Sequence, residues 1–266
     1  MIKIAKGKRL KTVLLAKVGK AIKDFKMIEK GDKIAVGLSG GKDSYTMLLL
    51  LNEIKKHSPV KFEIIALTSH SGNKYYEWEK IRDFAENVGV KFHLERTEII
   101  DIVKEKLREG SYPCAFCARL RRAYLYNACI KLGCNKLALG HHLDDAVETL
   151  LINFFFQGSL KGMPPKLLAE NGKVVLIRPL YYIPEIMVKQ LSKEAQFPII
   201  DCACFIACDK QGERMEMKKL VDEISKRYPK ARMSALSAMK NLEPRYLADT
   251  KWHNFDDEKI KDKEEL

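Results

Sequence analysis

Residues 34–51, IAVGLSGGKDSYTMLLLL, place a turn of two glycines, a lysine and two hydroxyls between two apolar runs. A buried strand feeding directly into a buried helix aims the helix's unpaired N–H groups, and the positive end of its dipole, at whatever lies beyond the turn. Glycines there let backbone approach a ligand closely, so the stretch reads as a phosphate cradle rather than a plain helix cap. Few folds present such a turn. The favoured one is a parallel sheet with ligands at the carboxyl ends of its strands.

The rest of the chain agrees. Strands are expected at 33–38, 61–68, 90–95, 135–140 and 174–177, alternating with helices to His57, over 75–88, 99–107, 118–132 and 142–156. Pro113 reads as a break before the helix from Ala118, and a Gly/Pro-rich loop follows Gly158. The fold class is therefore α/β, a doubly wound parallel sheet, with a mainly helical end. Three regions are expected: a basic helix at 1–30, a nucleotide-binding α/β domain at 31–180 and a helical region at 181–266. In the first, Leu10, Leu14, Val18, Ala21, Ile22 and Phe25 recur at helical spacing.

The chain has 266 residues, 48 basic and 35 acidic, a net charge of +13. Only Asp24, Glu29 and Asp32 are acidic among residues 1–33. An excess of this size is common in proteins that meet nucleic acid. No apolar run approaches the length of a membrane span, and the lysine-interrupted start is no secretory signal, so the cytoplasm is expected. Seven cysteines in that compartment point away from disulfides and toward metal, catalysis or burial. Cys129 and Cys134, flanking the end of an apolar helix, read as core.

Ser39–Ser44 is not the common nucleotide P-loop, G-x-x-x-x-G-K-S/T, because Asp43 follows Lys42 and Val36 stands where the first glycine belongs. Nor is it G-x-G-x-x-G. Asp43 suits magnesium coordination or fixing the loop. A second acidic turn, GHHLDDAVET (140–149), opens a later helix at another strand end. Asp144 and Asp145 there complement the helix dipole, or hold magnesium against phosphate. PCAFCARLRR (113–122) joins a C-x-x-C to Arg119, Arg121 and Arg122, which suit phosphate contacts of a nucleic acid or a polar helix face. Alone, the C-x-x-C is compatible with zinc, redox chemistry or an iron–sulfur cluster.

SGGKDS after a strand resembles the signature of the PP-loop ATP pyrophosphatases, which cleave ATP between the α and β phosphates and activate a substrate with AMP. The ordered set SGGKDS, PCAFCARLRR, GHHLDDAVET, KGMPPK (161–166) and IRPL (177–180) is similar to the tRNA 2-thiocytidine synthetase family over most of the chain. That resemblance implies the adenine nucleotide alpha hydrolase-like PP-loop fold and ATP-dependent thiolation of C2 of cytidine 32, in the anticodon loop of tRNA. It implies Mg2+ and a 4Fe-4S cluster held by three cysteines, matching Cys114, Cys117 and Cys202. Family members often continue with another C-x-x-C at the third position. Here Phe205 stands at its end, so Cys204 competes with Cys202 and Cys208 follows.

The implied ATP site is Ser39, Gly40, Gly41, Lys42, Asp43, Ser44, Gly140 and His141, with Lys42, Asp43, Asp144 and Asp145 catalytic and Asp144 and Asp145 on magnesium. Lys161 and Lys166 join the three arginines as implied RNA contacts. A sulfur donor such as a cysteine desulfurase and a homodimer are implied as partners. The competing readings are another PP-loop enzyme acting on tRNA, such as a lysidine synthetase, and a non-enzymatic zinc- and nucleotide-binding RNA protein.

Overall fold

In a computed structural model of the chain, residues 8–73, 75–106, 113–200 and 212–251 are described. It divides into two units, residues 1–218 and 219–266. The first contains a six-stranded sheet in the order β3-β2-β1-β4-β6-β5. Its strands are β1 (Lys33–Gly37), β2 (Glu63–His70), β3 (Phe92–Arg96), β4 (Lys136–Ala138), β5 (Lys166–Leu168) and β6 (Val175–Ile177). All neighbouring pairs are parallel except β5 with β6.

The sheet alternates its faces as the pleat requires. Ile65, Ala35, Leu137 and Leu176 align in one row across β2, β1, β4 and β6. That row packs on Leu125, Ala128 and Cys129 of α5 (Pro113–Lys131). Ala66, Val36, Ala138 and Ile177 form the next row. Helices α1 (Lys8–Asp24), α2 (Lys42–His57) and α7 (Glu185–Ala195) pack on one another. The α2 residues Tyr45, Met47, Leu48, Leu50 and Leu51 are fully buried. Phe84 of α3 (Trp78–Asn87) meets the Tyr45 ring at 4.4 Å. The predicted N-terminal helix is part of this core, since Leu14, Val18 and Ala21 are fully buried.

Two expectations are corrected. Helix α5 begins at Pro113, not near Ala118, so Pro113 starts the helix instead of breaking the chain before it. Proline suits a first helical turn, where its missing N–H would have had no partner. The second correction is β5, in a stretch whose glycines and prolines predict a loop. It pairs antiparallel with β6 through a turn in which Asn171 Oδ1 accepts from the N–H groups of Lys173 and Val174 and Gly172 takes φ +65°. The Asn-Gly pair at 171–172 is a hairpin signal that could have revealed it.

The remaining helices are α4 (Ile99–Lys106), α6 (Leu143–Phe156), α8 (Glu213–Arg227) and α9 (Ala231–Ala238). In the second unit, Arg232 pairs with Asp222 and Leu236 is buried. No helix among the described residues is long and apolar enough to cross a membrane.

Candidate active site

The order 3-2-1-4-6 reverses direction between β1 and β4, and a crevice opens at such a point beyond the carboxyl ends of the strands. The two loops singled out in the sequence leave the sheet there. Ser39–Ser44 follows β1 and leads into α2, and Gly140–His142 follows β4 and leads into α6. The loops are in contact. A Cβ placed on Gly140 would lie 3.0 Å from the Asp43 carbonyl carbon and 3.1 Å from the Ser44 nitrogen.

The phosphate loop is held from inside. Ser44 Oγ donates to the Gly41 carbonyl at 2.9 Å, and the Ser39 N–H reaches Ser44 Oγ at 3.3 Å. Gly40 takes φ +81°, a conformation side chains disfavour. Its carbonyl accepts from the Ile200 N–H at 3.0 Å, which ties the loop to the segment just before Cys202. No side chain caps α2, so its opening N–H groups are left for an anion.

Lys42 Nζ lies 3.0 Å from Asp43 Oδ2 and 3.1 Å from Glu185 Oε1. Burial works against the lysine's charge, but the two carboxylates outweigh it and hold its pKa above the ordinary value. Glu185, absent from the sequence reading, also receives Lys218 at 2.6 Å and Lys189 at 2.9 Å. Burial opposes its ionisation, yet hydrogen bonds from Lys218, Lys189 and Lys42 win and push its pKa well below the usual range. Asp43 Oδ1 is buried with no hydrogen-bond partner.

In the acidic loop the two aspartates differ. Asp145 forms a capping box with His142: its Oδ2 accepts from the His142 N–H at 2.9 Å, and His142 Nδ1 accepts from the Asp145 N–H at 3.4 Å. Asp144 is buried, and its Oδ2 accepts from the Glu185 N–H at 2.7 Å, at the start of α7. His142 Nε2 lies 3.7 Å from Asp43 Oδ1. His141 Nδ1 is buried without a partner, and burial, then the Arg178 guanidinium, pull its pKa down to about 4. That ring is neutral near pH 7. Arg178, from the IRPL stretch, is buried with Nη1 on the Pro164 carbonyl and Nε unpartnered. From α8, Arg214 reaches Asp145 at 3.6 Å, Glu148 at 3.7 Å and Thr149 Oγ1 at 3.3 Å. Burial raises Glu148 to about 7, with Arg214 pulling the other way.

These donors suit a hard cation. An orphaned, buried carboxylate oxygen on Asp43 faces a second buried carboxylate-bearing loop, which is the oxygen-rich setting Mg2+ prefers.

The sulfur candidates sit on α5. That helix ends at Lys131, and Gly133 then lies near Lys33, at the first residue of β1. Its other end, with Cys114 and Cys117, therefore points toward the carboxyl edge of the sheet, the edge of the two loops. Cys117 is half-buried, with Arg121 Nη2 4.0 Å from its sulfur. Cys114 and Cys117, three apart on one helix, are two of the three cysteines implied for a cluster. Cys129 and Cys134 are buried, as expected of core, and burial pushes the Cys129 thiol up to about 12. Cys202, Cys204 and Cys208 lie outside the described residues. Arg119, Arg121 and Arg122 are exposed on α5, Arg119 over the Phe116 ring at 5.5 Å. Lys161 is exposed, whereas the Lys166 ammonium is held by the Lys26 carbonyl at 2.6 Å.

Comparison with known proteins agrees with this geometry. A PP-loop domain model matches residues 10–201. The tRNA-cytidine(32) 2-sulfurtransferase of Geobacter sulfurreducens is 47% identical over 232 residues, covering 87% of this chain and 90% of that protein. The protein of the same name from Pelobacter propionicus is 46% identical, covering 87% and 86%. Among solved structures, the U34-tRNA thiolase NcsA from Methanococcus maripaludis with its 4Fe-4S cluster superposes with a TM-score of 0.72 at 26% identity, covering 88% of this chain and 80% of that one. With the signature loops meeting at the switch point and this likeness extending along most of its length, the chain belongs to the tRNA-cytidine(32) 2-sulfurtransferase family of PP-loop proteins.

Proposed function

We propose that this protein is an ATP-dependent tRNA sulfurtransferase that converts cytidine 32 to 2-thiocytidine. The observation that carries the reading is the contact of Gly140 with the Asp43 backbone, which joins a phosphate-binding loop to an acidic loop at the sheet's switch point. Activation by ATP needs both: cation and N–H groups for the departing pyrophosphate, and carboxylates for its metal.

In this mechanism the cytidine O2 attacks the α-phosphorus, the bond to the β-phosphate oxygen breaks, and pyrophosphate leaves against Gly40, Gly41 and Lys42. Sulfur at the sulfide level then attacks C2; a donor such as a cysteine desulfurase hands over persulfide sulfur, which a thiol reductant supplying two electrons first brings to that level. The C2–O bond breaks and AMP departs. Asp43 Oδ1 and the Asp144 carboxylate would hold Mg2+, which when bound offsets the phosphate charge. Cys114, Cys117 and Cys202 would hold the 4Fe-4S cluster, which when bound supplies an iron for sulfur. Neutral His141 cannot repel an incoming cation. Base extrusion is least costly in a single-stranded loop, which suits an anticodon-loop target. The exposed arginines of α5 and Lys161 would contact its phosphates. On this reading the protein works in the cytoplasm as a homodimer.

The test is to digest tRNA from cells lacking the gene and measure modified nucleosides by mass spectrometry. Loss of 2-thiocytidine, restored by the intact gene but not by Lys42→Ala or Cys114→Ser, is expected. Persistence of 2-thiocytidine with loss of another nucleoside would overturn the substrate, and no change at all would overturn the activity.

A further inference from the structure

Glu185 touches both loops of the site. Its side chain takes Lys42 of the phosphate loop on Oε1 at 3.1 Å, and its backbone N–H donates to Asp144 Oδ2 of the acidic loop at 2.7 Å. The carboxylate is not left to turn. Lys189, one turn along α7, and Lys218 of α8 both bind the other oxygen, Oε2, at 2.9 and 2.6 Å. Two ammonium groups on one oxygen orient the second toward Lys42. The side chain is only 12% exposed, so solvent screens this arrangement less than a surface pair.

Lys42 has a competing neighbour. Asp43 Oδ2 stands 3.0 Å from its nitrogen, and Asp43 Oδ1 is buried without a hydrogen-bond partner, with His142 Nε2 3.7 Å away. A lysine without a second carboxylate would be drawn onto both Asp43 oxygens. Glu185 draws it the other way, which leaves one Asp43 oxygen for a cation.

We propose that Glu185 is a positioning residue, which holds the phosphate-loop cation Lys42 in register with the acidic loop's Asp144. Its role is exercised through Lys42. This rests on the ATP-dependent reading above.

Such a role separates the parts of the nucleotide. Lys42 serves the pyrophosphate portion, so losing its support weakens ligands that carry that portion and spares AMP. The experiment measures the affinity of the purified full-length protein for Mg-ATP, pyrophosphate and AMP by titration calorimetry. The proteins are the unaltered chain, Glu185→Gln, Lys42→Ala and the double variant. Glu185→Gln keeps the shape and the backbone donor to Asp144. It is expected to weaken ATP and pyrophosphate about tenfold while AMP stays within about twofold. In the Lys42→Ala background, Glu185→Gln is expected to add nothing. Equal weakening of AMP, full additivity in the double variant, or no effect on ATP would overturn the role. If Glu185→Gln does not fold, Glu185→Asp is read the same way, because its carboxylate falls one methylene short of Lys42. Failure of the unaltered protein to bind ATP would instead overturn the ATP reading on which the role depends.

Discussion

The Cα of Gly140 lies so near the backbone of Asp43 that a Cβ at that position would sit 3.0 Å from a carbonyl carbon. Backbone cannot swing aside as a flexible side chain can. Gly140→Ala is therefore expected to push the two loops apart, at a stability loss of about 1–3 kcal/mol. Thermal unfolding and ATP titration check this, and both are expected to fall. Unchanged ATP affinity would mean that the loops bind independently.

Asp43 Oδ1 is buried without a hydrogen-bond partner, whereas Oδ2 is occupied by Lys42. Asp43→Asn is expected to abolish the gain in ATP affinity that Mg2+ confers, leaving affinity in the presence of a chelator little changed. Titrations with and without Mg2+ give the comparison. If Mg2+ still tightens binding to the variant, the cation is held elsewhere.

Asp32, far from this chemistry, pairs with buried Lys136 at 2.7 Å and accepts from Asn135 and from the Glu29 N–H. Burial alone would raise its pKa, but Lys136 and the N–H donors outweigh it and hold it below 3.8. The folded state thus binds this proton less readily than the unfolded chain. Its contribution is fully present above the unfolded value and is lost as pH falls through the lower folded one. Urea midpoints measured from pH 6 downward are expected to drop in this window for the intact protein. Asp32→Asn is expected to be destabilised by about 1–3 kcal/mol at pH 7, because it leaves the buried Lys136 ammonium with Glu29 Oε2, 3.0 Å away, as its one carboxylate, and to show a shallower acid decline.

Cys117, Cys129 and Cys134 differ in reach. In apo protein under reducing conditions, iodoacetamide is expected to modify Cys117 and spare Cys129 and Cys134 until denaturant is added. Peptide mass spectrometry reads the sites. Rapid native labelling of Cys129 would contradict its burial.

The first helix is expected to behave as core. Leu14→Ala, at a fully buried position, should cost about 2–5 kcal/mol, measured by chemical denaturation. Removing residues 1–30 to probe RNA affinity would take away these buried side chains and confound the result. Charge reversals at exposed positions such as Lys23 are the cleaner probe.

Much of this architecture was legible because local signals agreed with one another. Short apolar runs such as IAV (34–36), IIAL (64–67) and LAL (137–139) give parallel strands, and SGGKDS and GHHLDD sit at strand ends whichever boundary is chosen. Short edge pieces were not legible in that way. β5 has three residues with Leu167 and Leu168 exposed, so it carries no inward–outward alternation, and only the Asn-Gly turn betrays it. Pro113 misled because proline both stops helices and starts them. At the site, Asp43, Asp144 and Lys42 could be named from their motifs. Glu185 could not: it lies 143 residues beyond Lys42 on a helix with no signature of its own, and tertiary packing alone makes it the hub of three lysines. The capping box likewise split two aspartates that look equivalent in sequence.

The direction of α5 has a consequence for oxidative damage. Cys117 and Cys129 are separated by about 18 Å of helix rise, well beyond the ~7 Å that a disulfide can span between Cα atoms. A thiol oxidised at the outer rim therefore has no route to exchange with the sulfur in the interior, and injury at the exposed end stays there. Repair needs only to reduce a surface site, without unfolding the molecule.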